Sequence, residues 1–292
     1  MDSVNLLNGI EKDANFSFTE NTTYGLGGRA EEAYYPKNSV QVKAVYDYCK
    51  IANKKLFVLG NGSNVLASDS GFNGVVLCTK RFKGIFKSGK NTVYCRAGTS
   101  VATLLRYCAS HGYSGLEYLA GIPATCAALA YMNGGIGNIH VDQNITRVKL
   151  YDGSLRVFSN KNCNFGNKYS TMRDINAVIL GVEFKIEEKT GDYVRENIDA
   201  YLKRRAHLPK GKSCGCVFKN PVGDSAGRII EQAGLKGLSL GGASVSRTHA
   251  NFIINDNAKA AQVYNLIAAV KDGVYKKTGI LLEEEVVYIG DF

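Results

Sequence analysis

The chain has 292 residues, of which 45% are hydrophobic and 21% charged, with only 4 prolines. That is enough to bury a core in each of two domains, and the composition is neither disordered nor fibrous. No apolar run reaches the roughly 18 residues needed to span a bilayer, and residues 1–16 lack a basic start followed by an apolar block, so a cytoplasmic protein with no membrane partner is expected. The net charge of +10 admits a nucleic-acid partner. Lys and Arg are scattered, however, and the dense stretch from Lys203 to Lys212 suits a small anionic substrate equally well, so no nucleic acid is assigned. The eight cysteines include no CxxC pair, which predicts neither metal nor dithiol chemistry; most are read as buried thiols of a reducing compartment.

In chain order, residues 39–53 carry Val42, Val45, Tyr46 and Cys49 at helical spacing behind Ser39 as cap. Strand-like runs follow at 55–60, 75–78, 93–97, 148–151 and 178–186, interrupted by a helix at 100–111. After Asp192 the composition turns polar and basic, placing a domain boundary near 190: residues 1–190 form one region and 191–292 the other. The second part reads as a helix near 226–234, a strand at 252–254, a helix from about Asn257 with Val263, Leu266, Ile267, Val270 and Val274 on one face, and a strand at 280–289.

Three glycine-rich blocks carry chemistry. The loop Gly60-Asn-Gly-Ser-Asn-Val65 follows a strand, and its glycines let successive amides face one point, as a pyrophosphate requires; an ordinary turn is the alternative. Gly121-Ile-Pro-Ala-Thr125, with Asn133 beyond it, is built from small residues that let backbone approach a flat ligand, while Thr125 and Asn133 offer hydrogen bonds; packing of a tight loop would explain it too. By contrast, Gly25-Leu-Gly-Gly-Arg-Ala30 matches GxGxxA on paper but follows the polar Asn21-Thr-Thr-Tyr24, so a classical dinucleotide turn is not expected there.

The third block is Ser213-Cys-Gly-Cys-Val-Phe-Lys-Asn-Pro221, followed by Ala226–Gly237, Gly241–Phe252 and Leu282-Glu-Glu-Glu-Val286. In this order the chain resembles the UDP-N-acetylenolpyruvoylglucosamine reductase family of flavoenzymes, in its shorter type without the tyrosine-bearing insertion. The resemblance implies an α+β protein: an FAD-binding half of the PCMH/vanillyl-alcohol-oxidase type and a separate C-terminal substrate domain, with the last strand near 280–292 returning to the first half. It implies non-covalent FAD on Gly60–Val65 and Gly121–Thr125, NADPH as electron donor, a UDP-sugar substrate, a monomeric enzyme and no metal.

The family's proton-donating serine falls on Cys216, its glutamate on Glu285 and its arginine on Lys168. A thiol keeps the donor role, whereas lysine keeps only the charge of the arginine and loses its two-point contact; Arg173 is near enough in sequence to supply a guanidinium. Strand alternation would turn Glu285 and Glu283 to one face and Glu284 to the other. His207, Asn220, Lys236 and His249 match positions that contact the UDP-sugar. The Asn133–Gly137 loop is one residue shorter than usual. With Cys216 and Lys168, it leaves open a diverged FAD-dependent oxidoreductase with another substrate, or a non-catalytic nucleotide-binding homologue.

Overall fold

A computed structural model describes residues 5–292. The chain forms two compact units, each assembled from separate stretches.

The first unit contains residues 5–13, 32–61 and 74–206. Its five-stranded sheet runs Leu155–Ser159, Ile145–Tyr151, Val178–Lys185, Thr92–Arg96, Ile85–Gly89, antiparallel throughout. The central strand Val178–Lys185 is buried at every position except its last, so its near-continuous apolar run was legible in the sequence. Leu56–Leu59 pairs in parallel with Val75–Cys78, and the glycine loop leaves from its carboxyl end. The helix Val101–His111 is capped by Ser100, whose hydroxyl accepts from the Thr103 amide, and is stopped by Gly112 at φ 67°. The helix Ser39–Ile51 is capped by Asn38 rather than Ser39.

The boundary falls after Ala206, not near 190. Residues Gly191–Arg205 form a helix that packs on Val101–His111 and on the turn Glu117–Leu119. Only Val194 is fully buried in it, with Ile198 and Tyr201 packed beside the same core. One narrow apolar stripe on a basic helix is what made the segment resemble the start of a new domain.

The second unit contains residues 14–31, 62–73 and 207–292, so it also draws on the N-terminal region. The helix Ala260–Thr278 lays Val263, Leu266, Ile267, Val270 and Val274 against the sheet Ser239–Leu240, Ala243–Val245, Ile253–Asn255. It starts at Ala260 instead of Asn257 because Asn257 adopts a left-handed φ of 59°. The Asp69 carboxylate accepts the amides of Ala260 at 2.9 Å and Ala261 at 3.0 Å, placing negative charge where the helix dipole favours it. The final strand is only Val287–Ile289, parallel to Val65–Ala67. Residues 280–286 are irregular apart from a bridge between Phe218 and Glu284.

In the first unit, the Glu32 carboxylate accepts from Lys54 at 2.7 Å, Tyr34 at 2.8 Å and Tyr48 at 2.9 Å, and pairs with Lys12 at 2.7 Å. Burial alone would raise its pKa, but these four donors outweigh burial and bring it down from 4.5 to about 2. A depressed carboxylate stabilises the fold above its unfolded pKa and loses that contribution as pH falls towards the folded value. Stability should therefore drop by roughly 3 kcal/mol between about pH 5 and pH 2 on account of this group. Urea denaturation across that range should show Glu32→Gln flattening the slope; an unchanged slope would mean the contribution lies elsewhere.

Candidate active site

The Gly60–Val65 loop carries the chain from the first unit into the second. No described residue accepts a hydrogen bond from the main-chain amides of residues 60–64, although the loop is half-buried or buried. Buried amides are rarely left without a partner, and a run of them facing one ligand suits a phosphate oxygen. Gly62 has a φ of 68°, and a Cβ there would lie 2.4 Å from the Asn21 carbonyl oxygen, so only glycine fits. A Cβ on Gly60 would lie 2.8 Å from Thr125 Oγ1, and Asn61 Nδ2 donates to the Pro123 carbonyl at 3.1 Å. Gly60 and Asn61 thus lie against Gly121–Thr125 within the first unit. In that second segment the amides of Gly121, Ala124 and Thr125 also lack an acceptor among the described residues, while Ile122 donates to the Leu119 carbonyl at 3.1 Å. Thr125 itself is buried and caps the helix Cys126–Met132. Ser63 and Asn64 are half-buried; Asn64 Nδ2 donates to the Glu285 carbonyl at 3.0 Å, and Val65 opens the strand paired with Val287.

Asn133 serves the scaffold. It ends the helix Cys126–Met132 at φ 45°, its Nδ2 donates to Gly166 O at 2.9 Å, and its Oδ1 accepts from the Asp142 amide at 3.1 Å. It thereby fixes the tight turn in which Gly166 and Tyr169 exchange main-chain hydrogen bonds. Lys168 stands in that turn with a φ of 54°, a strained setting for a side chain with a Cβ. The Arg173 guanidinium donates to the Lys168 carbonyl at 2.7 Å and lies 5.9 Å over the Tyr131 ring.

In the second unit the segment carrying Cys216 lies between two others. Cys216 bridges Phe252, Phe218 bridges Glu284, and the Glu285 amide donates to Val217 O at 2.7 Å. Cys216 and Glu285 therefore occupy neighbouring backbone segments of one unit. All eight cysteines are free thiols, seven of them buried; Cys216 alone is partly exposed. Burial pushes the Cys214 thiol up to about 12, and charge on Glu285 or Cys216 pushes the same way. Glu283 pairs with Lys219 at 3.0 Å and Glu284 with Lys271 at 2.8 Å, so the three consecutive glutamates have different surroundings, without the regular alternation a continuous strand would impose.

Around the helix Ala226–Gln232, Asn220 Oδ1 accepts the Ala226 amide at 3.0 Å and Lys236 pairs with Glu231 at 2.6 Å. His249 packs so close to Gly227 that a Cβ there would meet its ring at 3.0 Å, and its Nδ1 accepts from the Asn251 amide. That bond leaves Nε2 as the protonated nitrogen of the neutral ring. His207 is exposed; with Lys236 it lies near enough to His249 to disfavour a positive charge there.

Comparison with known proteins decides the family. Residues 206–289 match the model of the UDP-N-acetylenolpyruvoylglucosamine reductase C-terminal domain, and residues 31–157 match that of an FAD binding domain. A UDP-N-acetylenolpyruvoylglucosamine reductase of Prochlorococcus marinus is 34% identical over 97% of this chain and 100% of its own length. The chain belongs to the UDP-N-acetylenolpyruvoylglucosamine reductase (MurB) family. A relative of the same name in Synechocystis is 36% identical over 94% of this chain and 90% of its own. The crystal structure of the Thermus caldophilus MurB superposes with a TM-score of 0.82 at 31% identity, covering 96% of this chain and 99% of that one. The fold is thus that of an α+β MurB, an FAD-binding domain with a separate C-terminal domain. Among the described residues, no helix is long and apolar enough to cross a membrane.

Two buried residues beside these segments escaped the sequence reading. Asn251 is buried and bonds both main-chain groups of Phe218, 33 positions away, a partnership with no local signal. Tyr24 is fully buried, although its polar neighbours Thr22 and Thr23 suggest a surface loop.

Burial chiefly, then His207 and Lys236, lower the pKa of His249 below 6.5. The ring is therefore neutral at pH 7 and should titrate below 6.5 when followed by NMR, with Lys236→Met raising the midpoint. A midpoint at or above 6.5 in the parent protein would contradict this arrangement.

Proposed function

We propose that this chain reduces UDP-N-acetylglucosamine enolpyruvate to UDP-N-acetylmuramate, with non-covalent FAD and NADPH as electron donor, acting as a monomer in cytoplasmic peptidoglycan precursor synthesis. The observation that carries the reading is full-length family membership combined with the single partly exposed thiol, Cys216, on the segment bonded to that of Glu285.

The residues present fit the cofactor. Among the described residues the amides of 60–64 and of Gly121, Ala124 and Thr125 have no acceptors, and N–H groups answer a pyrophosphate without needing a cationic side chain. Ile122 and Pro123 shape the wall beside them, and Asn133 holds the turn of Lys168 in place. FAD held there would supply the redox chemistry: a hydride, originating from NADPH, for the terminal carbon of the enolpyruvyl double bond.

The protein's own groups do the rest. Negative charge develops on the substrate as hydride arrives, and Lys168 offers the cation that steadies it. Cys216 then gives its proton to the adjacent carbon: the S–H bond breaks as the C–H bond forms. A thiol, with a reference pKa of about 8.5, is mostly protonated at neutral pH and is a far stronger acid than a serine hydroxyl, so the replacement preserves the step. Glu285, in its acid form, donates a hydrogen bond to the substrate's carboxylate end or its enolate. Neutral His249, through Nε2–H, and Asn220 orient the sugar nucleotide, while Lys236 and His207 answer its diphosphate.

Purified protein should be yellow, bleach anaerobically with NADPH, and regain its colour on addition of the UDP-sugar enol ether; bleaching that this substrate cannot reverse would sink the assignment. Cys216→Ala should still bleach but lose turnover by about 100-fold or more, whereas Cys216→Ser should keep most of it. An alanine variant as active as the parent would remove the thiol from the mechanism.

A further inference from the structure

Cys214 and Cys216 stand two residues apart, a closer spacing than the CxxC pair whose absence argued against dithiol chemistry. Their surroundings differ. Cys214 is 3% exposed and belongs to the core of the second unit with Leu66, Val217 and Phe218, whereas Cys216 is the one partly exposed thiol of the eight. An oxidant in solvent therefore reaches Cys216 first, and the other seven only when the fold opens.

The backbone between the two is set for a short bridge. Thr23 Oγ1 donates to the Ser213 carbonyl at 2.6 Å, and the Val217 amide donates to the Asn251 carbonyl at 2.9 Å, so the chain is pinned on both sides of the pair. Between these pins Gly215 adopts a φ of 82°, and the chain bends there. Two successive trans peptides cannot separate the outer Cα atoms by more than about 7 Å, and a bend shortens that span into the roughly 4.4–6.8 Å that a disulfide bridges. Gly215 also has room to adjust: among the described residues beyond its chain neighbours, no atom lies within 4 Å of where its Cβ would stand. A glycine hinge with open space beside it absorbs the rotation that turns the Cys214 sulfur towards Cys216.

We infer that Cys216 and Cys214 form a reversible disulfide, driven by hydrogen peroxide, that withdraws the thiol proton from the reaction. The loss of turnover rests on Cys216 being the proton donor; the bridge itself does not. In the first step the Cys216 sulfur attacks the peroxide: an S–O bond forms, the O–O bond breaks, the thiol proton leaves with the departing oxygen as water, and a sulfenic acid remains. In the second the Cys214 sulfur attacks that of Cys216. The S–S bond forms, the S–O bond breaks, and the departing hydroxyl takes the Cys214 proton as a second water. Two thiols thus lose two electrons, and one peroxide is reduced to two waters. Burial keeps the Cys214 thiol protonated, its pKa pushed up to about 12, which makes it a poor first target and leaves it intact to close the bridge. Proximity offsets its weak acidity, because both sulfurs belong to one short segment. The ring so closed is small, and strained disulfides are the readily reduced ones, so a simple dithiol reopens it.

The test treats the full-length, FAD-loaded protein with excess hydrogen peroxide, removes the peroxide, and reads mass, turnover and flavin bleaching on the same samples. The tryptic peptide Ser213–Lys219 contains both cysteines and should lose two hydrogens. Turnover of UDP-N-acetylglucosamine enolpyruvate should fall by about tenfold or more while anaerobic bleaching by NADPH continues at the parent rate, and dithiothreitol should restore both mass and turnover. Cys214→Ala, which removes a side chain outside the reaction, should turn over like the untreated parent; after peroxide its peptide should gain two oxygens instead, beyond rescue by dithiothreitol. Cys216→Ser should show no change in this peptide. A parent peptide that gains oxygens without losing the two hydrogens would overturn the bridge, as would recovery of peroxide-treated Cys214→Ala in dithiothreitol. Should Cys214→Ala fail to fold, the mass of the parent peptide decides alone. A bridged enzyme with parent-level turnover would remove Cys216 from the reaction, and an untreated parent that forms no product would refute the reading of the reaction; neither result alters the mass by which the bridge is judged.

Discussion

The site depends on how one short segment is held. Val217 donates its amide to Asn251 O at 2.9 Å, Phe218 donates to Asn251 Oδ1 at 2.9 Å, and Asn251 Nδ2 returns a bond to Phe218 O at 2.8 Å. On the other side, Glu285 donates to Val217 O at 2.7 Å and Lys219 to Glu283 O at 2.8 Å. Phe218 and Asn251 are both buried, so removing the carboxamide would leave an N–H and a C=O without partners at about 1–3 kcal/mol each. That constraint keeps Cys216 and Glu285 on segments with fixed register, neither of which belongs to a regular sheet. A proton donor has to meet its carbon within a few tenths of an ångström.

The same constraint explains how a thiol can stand where relatives are read as carrying a serine. The backbone is positioned by Asn251 and by the 283–285 segment, whose bonds do not involve the side chain at 216. Exchange of oxygen for sulfur therefore changes the acid without changing the frame. Lys168 is a different case, because it sits at a positive φ in a turn held by Asn133 and Arg173, and its own conformation is part of the local strain. That substitution alters both the chemistry and the setting.

Much of this was legible in the sequence where the signal was local. The strand Val178–Lys185, the helix Val101–His111 with its serine cap and glycine stop, and the apolar face of Ala260–Thr278 follow directly from periodicity and capping residues. The glycine loop at 60–65 was recognisable from composition, though the freedom of its amides was not. What sequence could not supply was long-range partnership. Asn251 looks like any loop asparagine until Phe218 is beside it, and Tyr24 looks exposed until residues 213–214 and 255 close over it. The helix Gly191–Arg205 was hidden for another reason: its buried stripe is one residue wide, and the charges around it dominated the composition. The last strand was overextended because Ile280, Leu282 and Val286 are apolar for packing reasons, without a strand's pairing.

The central claim is that a thiol fixed by main-chain bonds hands its proton to one face of the substrate carbon. The direct measurement is the reaction run in deuterium oxide, with the product analysed by NMR for the parent and for the residual activity of Cys216→Ala. The parent should carry solvent deuterium at the carbon bearing the ether oxygen in a single configuration, and the alanine variant should give both configurations there. A single unchanged configuration from the alanine variant, or no solvent deuterium at that carbon in the parent product, would contradict the account.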